Sequence, residues 1–388
     1  MAGSELEPEI AAAPQLSPHR LAELTSKLVS IPSVNGEHPE VDIAVEIGEE
    51  LDAAGFEVSF VGDESRPSLG AKVGDDPVVL LNGHLDTVPA DDADQWRYDP
   101  YSGTVADGAV HGRGACDMKG GLAVQVAVAQ WLATKGLANG LVLHFAMGEE
   151  RGEPGTEDLL AAGFVAPKGM VLEPTDLRVG VAQRGLVTLR VEIEGRAGHA
   201  SRPELTDNPV DRLGTVLAVL SRLDDNPSRS HPLLGNPKWT ATMVSSGVIP
   251  SMVPASCTVH VDRRMVPGET VEGVLAELRQ ALVAVAGVTV EVASEEGIYE
   301  PAEIARNCET VLQLTESLSA NGEDVDLFGT PYSSDIRHLV NTAGVEAVTF
   351  GPGRPTEMHA RDEFIAVDDL TRAARVVAAF TVRAIRAS

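Results

Sequence analysis

The sequence is poor in cysteine, poor in positive charge and without long apolar runs. Three cysteines, Cys116, Cys257 and Cys308, are spread over 388 residues. Odd in number and far apart, they make neither a disulfide framework nor a cysteine-type zinc cluster. A reducing cytoplasm is the expected setting. Lys and Arg total 30 against 58 Asp and Glu, for a net charge of −28. So little clustered positive charge excludes a general nucleic-acid binder and docking on anionic lipid. No stretch approaches about 18 consecutive apolar residues, so no transmembrane helix is expected. The N-terminus carries Glu5, Glu7 and Glu9 and lacks both a basic start and a long apolar segment. It does not read as a signal peptide, and residues 1–16 are expected to form a mobile tail.

What is present is a folding composition. Hydrophobic residues make up 43% of the chain. At about 150 residues per domain, the length predicts two or three domains. Most of the surplus acid is expected on a solvated surface.

The pattern along the chain predicts an α/β domain with a mostly parallel central sheet, interrupted by an α+β insert. Ser17-Pro18 reads as a helix start, followed by Leu21, Leu24, Leu28 and Ile31 at helical spacing. A helix is expected from Glu40 to Ala54 and a strand over Phe56–Val61. Val78–Leu81, Leu141–Met147 and Met170–Leu172 read as buried strands, and Gly121–Lys135 as a helix. Asp107-Gly108 reads as a hairpin turn. From Leu186 to Ile193 apolar and polar residues alternate, as in a half-exposed antiparallel strand. Helices near Pro209–Leu223 and Thr270–Ala286 follow, with strands near Thr240–Val248, Ser256–Asp262 and Val288–Val292. The insert is placed at 183–296, inside a domain made of 17–182 and 297–388. That domain resumes with a helix near Ala305–Ala320, a strand near Glu346–Phe350 and a last helix from Val367.

Polar groups gather where apolar strands end, which is where sites form in open α/β sheets. His84 and Asp86 follow the Val78 strand, Glu149 and Glu150 the Leu141 strand, and Glu173 the Met170 strand. Asp117 precedes the Gly121 helix, and His359 follows the last strand and its Gly351-Pro352-Gly353 turn. Such a mixed nitrogen and oxygen set suits Zn²⁺, Co²⁺ or Mn²⁺ better than Ca²⁺ or Mg²⁺. In an extended segment His84 and Asp86 share a face, so the Asp86 carboxylate is expected to accept the second imidazole N–H. Of Glu149 and Glu150, one can bind metal while the other takes a proton from water. Asp117 has two oxygens and can bridge two ions. Gly112-x-Gly114 lacks the rest of a dinucleotide fingerprint.

Gly83-His84-Leu85-Asp86-Thr87-Val88-Pro89, then Gly112-Arg113-Gly114-Ala115-Cys116-Asp117-Met118-Lys119-Gly120-Gly121, then Glu149-Glu150, resemble the M20 metallopeptidase family. The resemblance covers residues 18 to 386 and implies a zinc-peptidase-like catalytic domain with an inserted dimerisation, or lid, domain. It implies two divalent ions, with zinc expected. His84 and Glu173 hold one, Glu150 and His359 the other, and Asp117 bridges. Glu149 is then the general base and Asp86 the support of His84.

Gly198-His199-Ala200-Ser201 resembles the family segment whose histidine reaches the partner subunit's site and helps hold the oxyanion. Asp262-Arg263-Arg264 resembles the family's Asp-x-Arg, which implies that Arg264 binds a substrate carboxylate. Asn208 and Arg337 complete the expected substrate-binding set. Two ions and their anionic ligands nearly cancel in charge, so a carboxylate substrate needs its own cation, and arginine's planar fork supplies one. Ser333-Ser334-Asp335 and Met358-His359 depart from the usual family wording, where substrate side chains are read.

The expected activity is hydrolysis of an N-acyl amino acid, as in deacetylases and desuccinylases of this family, by a homodimer. The alternatives are a carboxypeptidase or dipeptidase acting on short peptides, and a non-catalytic amino-acid-binding relative.

Overall fold

The computed structural model describes residues 6–224, 229–294 and 298–387. The expected boundary at 296/297, part of the loop after Leu223 and the first five residues lie outside the described residues. The chain divides into two compact units. One comprises the residues up to Val181, Ile304–Phe328 and those from Ser334 on; the other is Ala182–Glu303 with Gly329–Ser333.

In the first unit a mixed sheet carries the site. Its order is Glu57–Gly62, Pro67–Lys72, Leu141–Ala146, Val79–His84, Lys168–Val171, Glu346–Thr349 and Val179–Gln183. The four strands from Leu141–Ala146 to Glu346–Thr349 pair in parallel. The flanking pairs are antiparallel, so the sheet is parallel only at its centre. The central strands are fully buried, as their uninterrupted apolar runs require. The strand Pro67–Lys72 has no counterpart in the sequence reading, because its proline, serine and glycine mask the pattern.

The helix Gly120–Thr134 is apolar on nearly every side and buried along almost its whole length. It packs against Pro18–Val29 and the 21-residue C-terminal helix Val367–Ala387. Gly121 permits close contact with the strand end that carries Glu173: a Cβ there would lie 2.4 Å from the Leu172 carbonyl oxygen. Asp107 and Gly108, both at positive φ, close the expected hairpin between Thr104–Ala106 and Ala109–His111.

Residues 6–16 are not a mobile tail. Leu6–Ala11 is helical, with Leu6 and Ile10 buried one turn apart against the C-terminal helix. Pro14–Leu16 forms a short turn that buries Leu16, and Glu7 accepts from Arg383 at 2.6 Å. The acidic residues between the apolar ones made the segment look solvated, while the spacing of Leu6 and Ile10 is what anchors it.

The second unit is α+β. Its antiparallel sheet runs Lys238–Ser246, Ser256–Met265, Gly185–Glu194, Val288–Val292. Buried and half-buried residues alternate along Gly185–Glu194 and Ser256–Met265. Helices Val210–Asp224 and Val271–Ala281 contribute Val216, Leu220, Val274 and Leu278 to its core. Among the described residues of the whole chain, no helix is long and apolar enough to cross a membrane.

One buried histidine gives the first unit a pH dependence. His144, on Leu141–Ala146, is fully buried and donates from Nε2 to the Phe164 carbonyl at 2.7 Å. Burial pushes its pKa down to about 4. An unfolded imidazole titrates near 6.5, so between these values the unfolded chain binds the extra proton. This contribution is complete above pH 6.5 and is lost as the pH falls toward 4, with a full size of about 3 kcal/mol. His144→Gln should therefore flatten the acid limb of unfolding free energy against pH in urea titrations. An unchanged slope would contradict the assignment.

Candidate metal centre

The parallel strands deliver their polar residues to one edge of the sheet. His84 is the last residue of Val79–His84. Its neighbour Leu141–Ala146 continues through Gly148, at φ 68, into the turn Glu149–Arg151. Lys168–Val171 leads to Leu172 and Glu173, and Glu346–Thr349 leads to the loop that carries His359. Asp117 comes from the turn Ala115–Lys119, just before the Gly120–Thr134 helix.

Asp117 lies between two imidazoles. Its Oδ1 is 3.2 Å from His84 Nε2 and its Oδ2 is 3.2 Å from His359 Nε2. Glu173 Oε1 lies 3.6 Å from His84 Nε2, and Glu150 Oε1 lies 2.8 Å from His359 Nε2. Donor atoms of His84, Glu149 and Glu173 converge closely enough for one ion, as do those of His84, Asp117 and Glu150. His84, Asp117, Glu149 and Glu173 are buried, whereas the His359 side chain is 48% exposed.

The electrostatics are those of anions crowded out of water. Burial, then the charge of Asp117, pushes Glu173 well above the usual carboxyl range, and the same two causes raise Glu150. Burial does the same to Glu149, reinforced by Asp335, Glu173 and Glu150. Burial disfavours charge on Asp117 as well, but His359 and His84 hold its carboxyl below the ordinary value. Burial disfavours charge on His84, but the nearby carboxylates of Asp117, Asp86 and Glu173 hold it well above an ordinary imidazole. Asp117 and Glu150 raise His359 to about 10. Glu173 Oε2 is buried without a hydrogen-bond partner. Four carboxylates, two imidazoles and an orphaned oxygen form a donor set that fits divalent cations.

Asp86 does not act as expected. His84 Nδ1 bonds the main-chain carbonyl of Asp86 at 2.9 Å, while the Asp86 carboxylate is 3.5 Å away. The chain leaves the strand after His84, so the alternation of an extended segment no longer holds. The carboxylate instead accepts the N–H groups of Glu149 at 3.0 Å and Glu150 at 3.1 Å, and Asn35 Nδ2 at 2.6 Å. Asn35 Oδ1 accepts from Arg66, which also pairs with Glu40 and Glu153. Sequence reasoning missed Asn35 and Arg66, because each reaches the site from a distant part of the chain. Asp335, in the departing Ser333-Ser334-Asp335 segment, accepts from Thr156 Oγ1 at 2.6 Å, and Thr156 in turn accepts from Asn82 at 2.8 Å.

Arg337 belongs to the same unit and is buried, donating to the Ser334 carbonyl. The remaining expected residues belong to the second unit. His199 is exposed, and its Nδ1 accepts from the Ser201 N–H at 3.1 Å, which leaves the proton on Nε2. Arg264 pairs with Asp262, two residues away on the same strand face, at 3.0 and 3.3 Å. Asn208 caps the start of a helix instead of facing open space: Oδ1 accepts from Val210 N and Nδ2 donates to Asp211.

Comparison with known proteins agrees with this class of site. The sequence profile of Peptidase family M20/M25/M40 matches residues 80–383. A succinyl-diaminopimelate desuccinylase of Methylorubrum extorquens is 30% identical over 92% of this chain and 97% of its own. The Escherichia coli protein YgeY is 29% identical over 87% of both chains. An M20 family metallo-carboxypeptidase from Sulfolobus solfataricus superposes with a TM-score of 0.77 at 18% identity, over 94% of this chain and 99% of its own. The Bacillus subtilis YXEP protein, described as a dinuclear metal binding peptidase, gives 0.72 at 18% identity, over 95% and 98%. The chain belongs to peptidase family M20/M25/M40 and is a hydrolase of amide bonds.

His359, raised to about 10, holds a proton at neutral pH that a cation must displace. Adding zinc to metal-free protein in weak buffer should release protons, and the apparent affinity should climb with pH through the neutral range. Affinity independent of pH would contradict the cluster as the binding site.

Proposed function

We propose that the chain is a two-metal amidohydrolase that removes the acyl group from an N-acyl amino acid. The observation that carries this is the division of Asp117: one oxygen faces His84 beside Glu173, and the other faces His359 beside Glu150. In this reading His84 and Glu173 would hold one ion and Glu150 and His359 the other, with Asp117 available to both. Two divalent cations, zinc in the first instance, would supply Lewis acidity for the scissile carbonyl and for the attacking water.

Glu149 is the general base. It takes the proton of the attacking water and returns it to the leaving amine. Its raised pKa suits a group that must both accept and donate near neutral pH. The Asp86 carboxylate, on the N–H groups of Glu149 and Glu150, keeps base and ligand in register. His199, with its proton on Nε2, is a hydrogen-bond donor for the oxyanion in a partner's site. Arg264 exchanges Asp262 for the substrate carboxylate, and Arg337 adds buried positive charge near the site. The desuccinylase relative, matched over nearly its full length, favours an acyl amino acid over a peptide.

A homodimer is part of this proposal. Lys238–Ser246 is an edge strand, and Met243, Val244, Val248 and Ile249 on and beyond it are exposed. An open apolar edge of this kind favours pairing with a second copy. Sedimentation should show a dimer; a fully active monomer would contradict the role of His199 across subunits.

Glu149→Ala should retain both ions and lose about 10²–10⁴-fold in kcat on the preferred substrate. A panel of N-acetyl and N-succinyl amino acids beside dipeptides identifies that substrate. Near-normal kcat in the variant would remove Glu149 as the base, and turnover confined to the dipeptides would replace the deacylase by a peptidase.

A further inference from the structure

We propose that Glu363 and Arg113 form a positioning pair that fixes Asp117 against His359 and thereby sets the affinity of the Glu150–His359 metal position; this rests on the two-ion reading above. Glu363 is completely buried, and both of its oxygens are used twice. Oε1 accepts the N–H groups of Cys116 at 2.9 Å and Asp117 at 3.0 Å. Oε2 accepts the N–H of Gly114 at 3.1 Å and Arg113 Nη1 at 2.6 Å. One carboxylate thus defines the path of the turn that carries the bridging ligand.

The pair also reaches the other side of the position. The Arg113 guanidinium lies 3.3 Å from the Ala360 carbonyl and 3.4 Å from the His359 carbonyl, with its plane's centre 5.1 Å from the Trp96 ring. His359 stands at φ 58, a backbone conformation that residues with a side chain rarely adopt. Donation to its carbonyl and to the next one holds it there. Around the pair the two segments are zipped together: Phe364–Ala366 pairs with Ala109–His111, and Gly112 N donates to Glu363 O at 2.9 Å.

The opposite position is built differently. His84 sits at a strand end with its Nδ1 on the Asp86 carbonyl, and Glu173 follows the neighbouring strand. Apart from Asp117, which the two positions share, neither segment is held by Glu363 or Arg113 in these bonds. A buried ion pair is a weak source of net stability, because desolvation offsets its attraction. The value of this one lies in geometry: three directed bonds on one turn and two on the loop that faces it. Groups that orient ligands typically contribute about 10–100-fold in metal affinity.

The test is zinc binding by full-length wild type, E363Q and R113K, measured by equilibrium dialysis against a competing chelator, with circular dichroism of the metal-free proteins. Glutamine keeps the shape of Glu363 but cannot accept four N–H groups. Lysine keeps the charge of Arg113 but cannot span Glu363 and two carbonyls. The expected result is two ions in the wild type, and in each folded variant one ion of near wild-type affinity and one weakened at least about tenfold. In an H359N background, where the second position is already impaired, adding E363Q should leave the remaining ion within about threefold. Wild-type affinity at both positions in both variants, or equal weakening of both, would overturn the inference. So would failure of both variants to fold, since the pair would then be a folding element. Fewer than two ions in the wild type would overturn the two-ion reading itself.

Discussion

Asp117 offers one oxygen to each of two imidazoles, inside a cluster that also contains Glu149, Glu150 and Glu173. So many carboxylates held out of water repel one another, and burial, reinforced by that repulsion, pushes three of them toward their protonated forms. The two histidines relieve this only in part. Cations of charge +2 would offset it, and the arrangement of the first unit brings their candidate ligands together. Four parallel strands bring their carboxyl ends to one edge, the apolar Gly120–Thr134 helix backs the turn of Asp117, and tight contacts at Gly121 let helix and strand meet.

A second level of bonding keeps the ligands from drifting under mutual repulsion. Asp86 holds the Glu149–Glu150 turn by its two N–H groups and is itself held by Asn35 and, through it, Arg66. Glu363 does the same for the Asp117 turn. In both cases a buried carboxylate accepts backbone N–H groups of the turn that carries a ligand, and Glu363 is paired with Arg113 as well. The global charge of −28 is thereby separated from the chemistry: most acids are solvated, while a few are buried, bonded and directed.

Most of the metal-ligand candidates were legible because they follow an apolar run that ends in a polar residue; Asp117 instead precedes the apolar Gly120–Thr134 helix. The order of those signals also carried the family resemblance, while the change from buried apolar runs to alternation at Leu186–Ile193 carried the separation into an α/β unit and an α+β unit. The supporting residues were not legible. Asn35, Arg66 and Glu363 lie far along the chain from the groups they hold, and no spacing rule connects them. Asp86 was correctly placed near His84 but given the wrong bond, because the rule of alternation was carried two residues past the end of the strand. The first helix was missed because Glu7 and Glu9 disguised the anchoring pair Leu6 and Ile10, and Asn208 proved to be a helix cap. The mostly parallel sheet became a mixed one because its outer strands, such as Pro67–Lys72, lack the apolar runs of the centre.

The most direct test of the account is the position of the ions themselves. A crystal grown with zinc, with anomalous data at the zinc edge, should show two peaks about 3.5–4 Å apart, one on each side of Asp117. The first should lie between His84 and Glu173, and the second between Glu150 and His359. A single peak with zinc in excess, or peaks that leave Asp117 unbound, would contradict it.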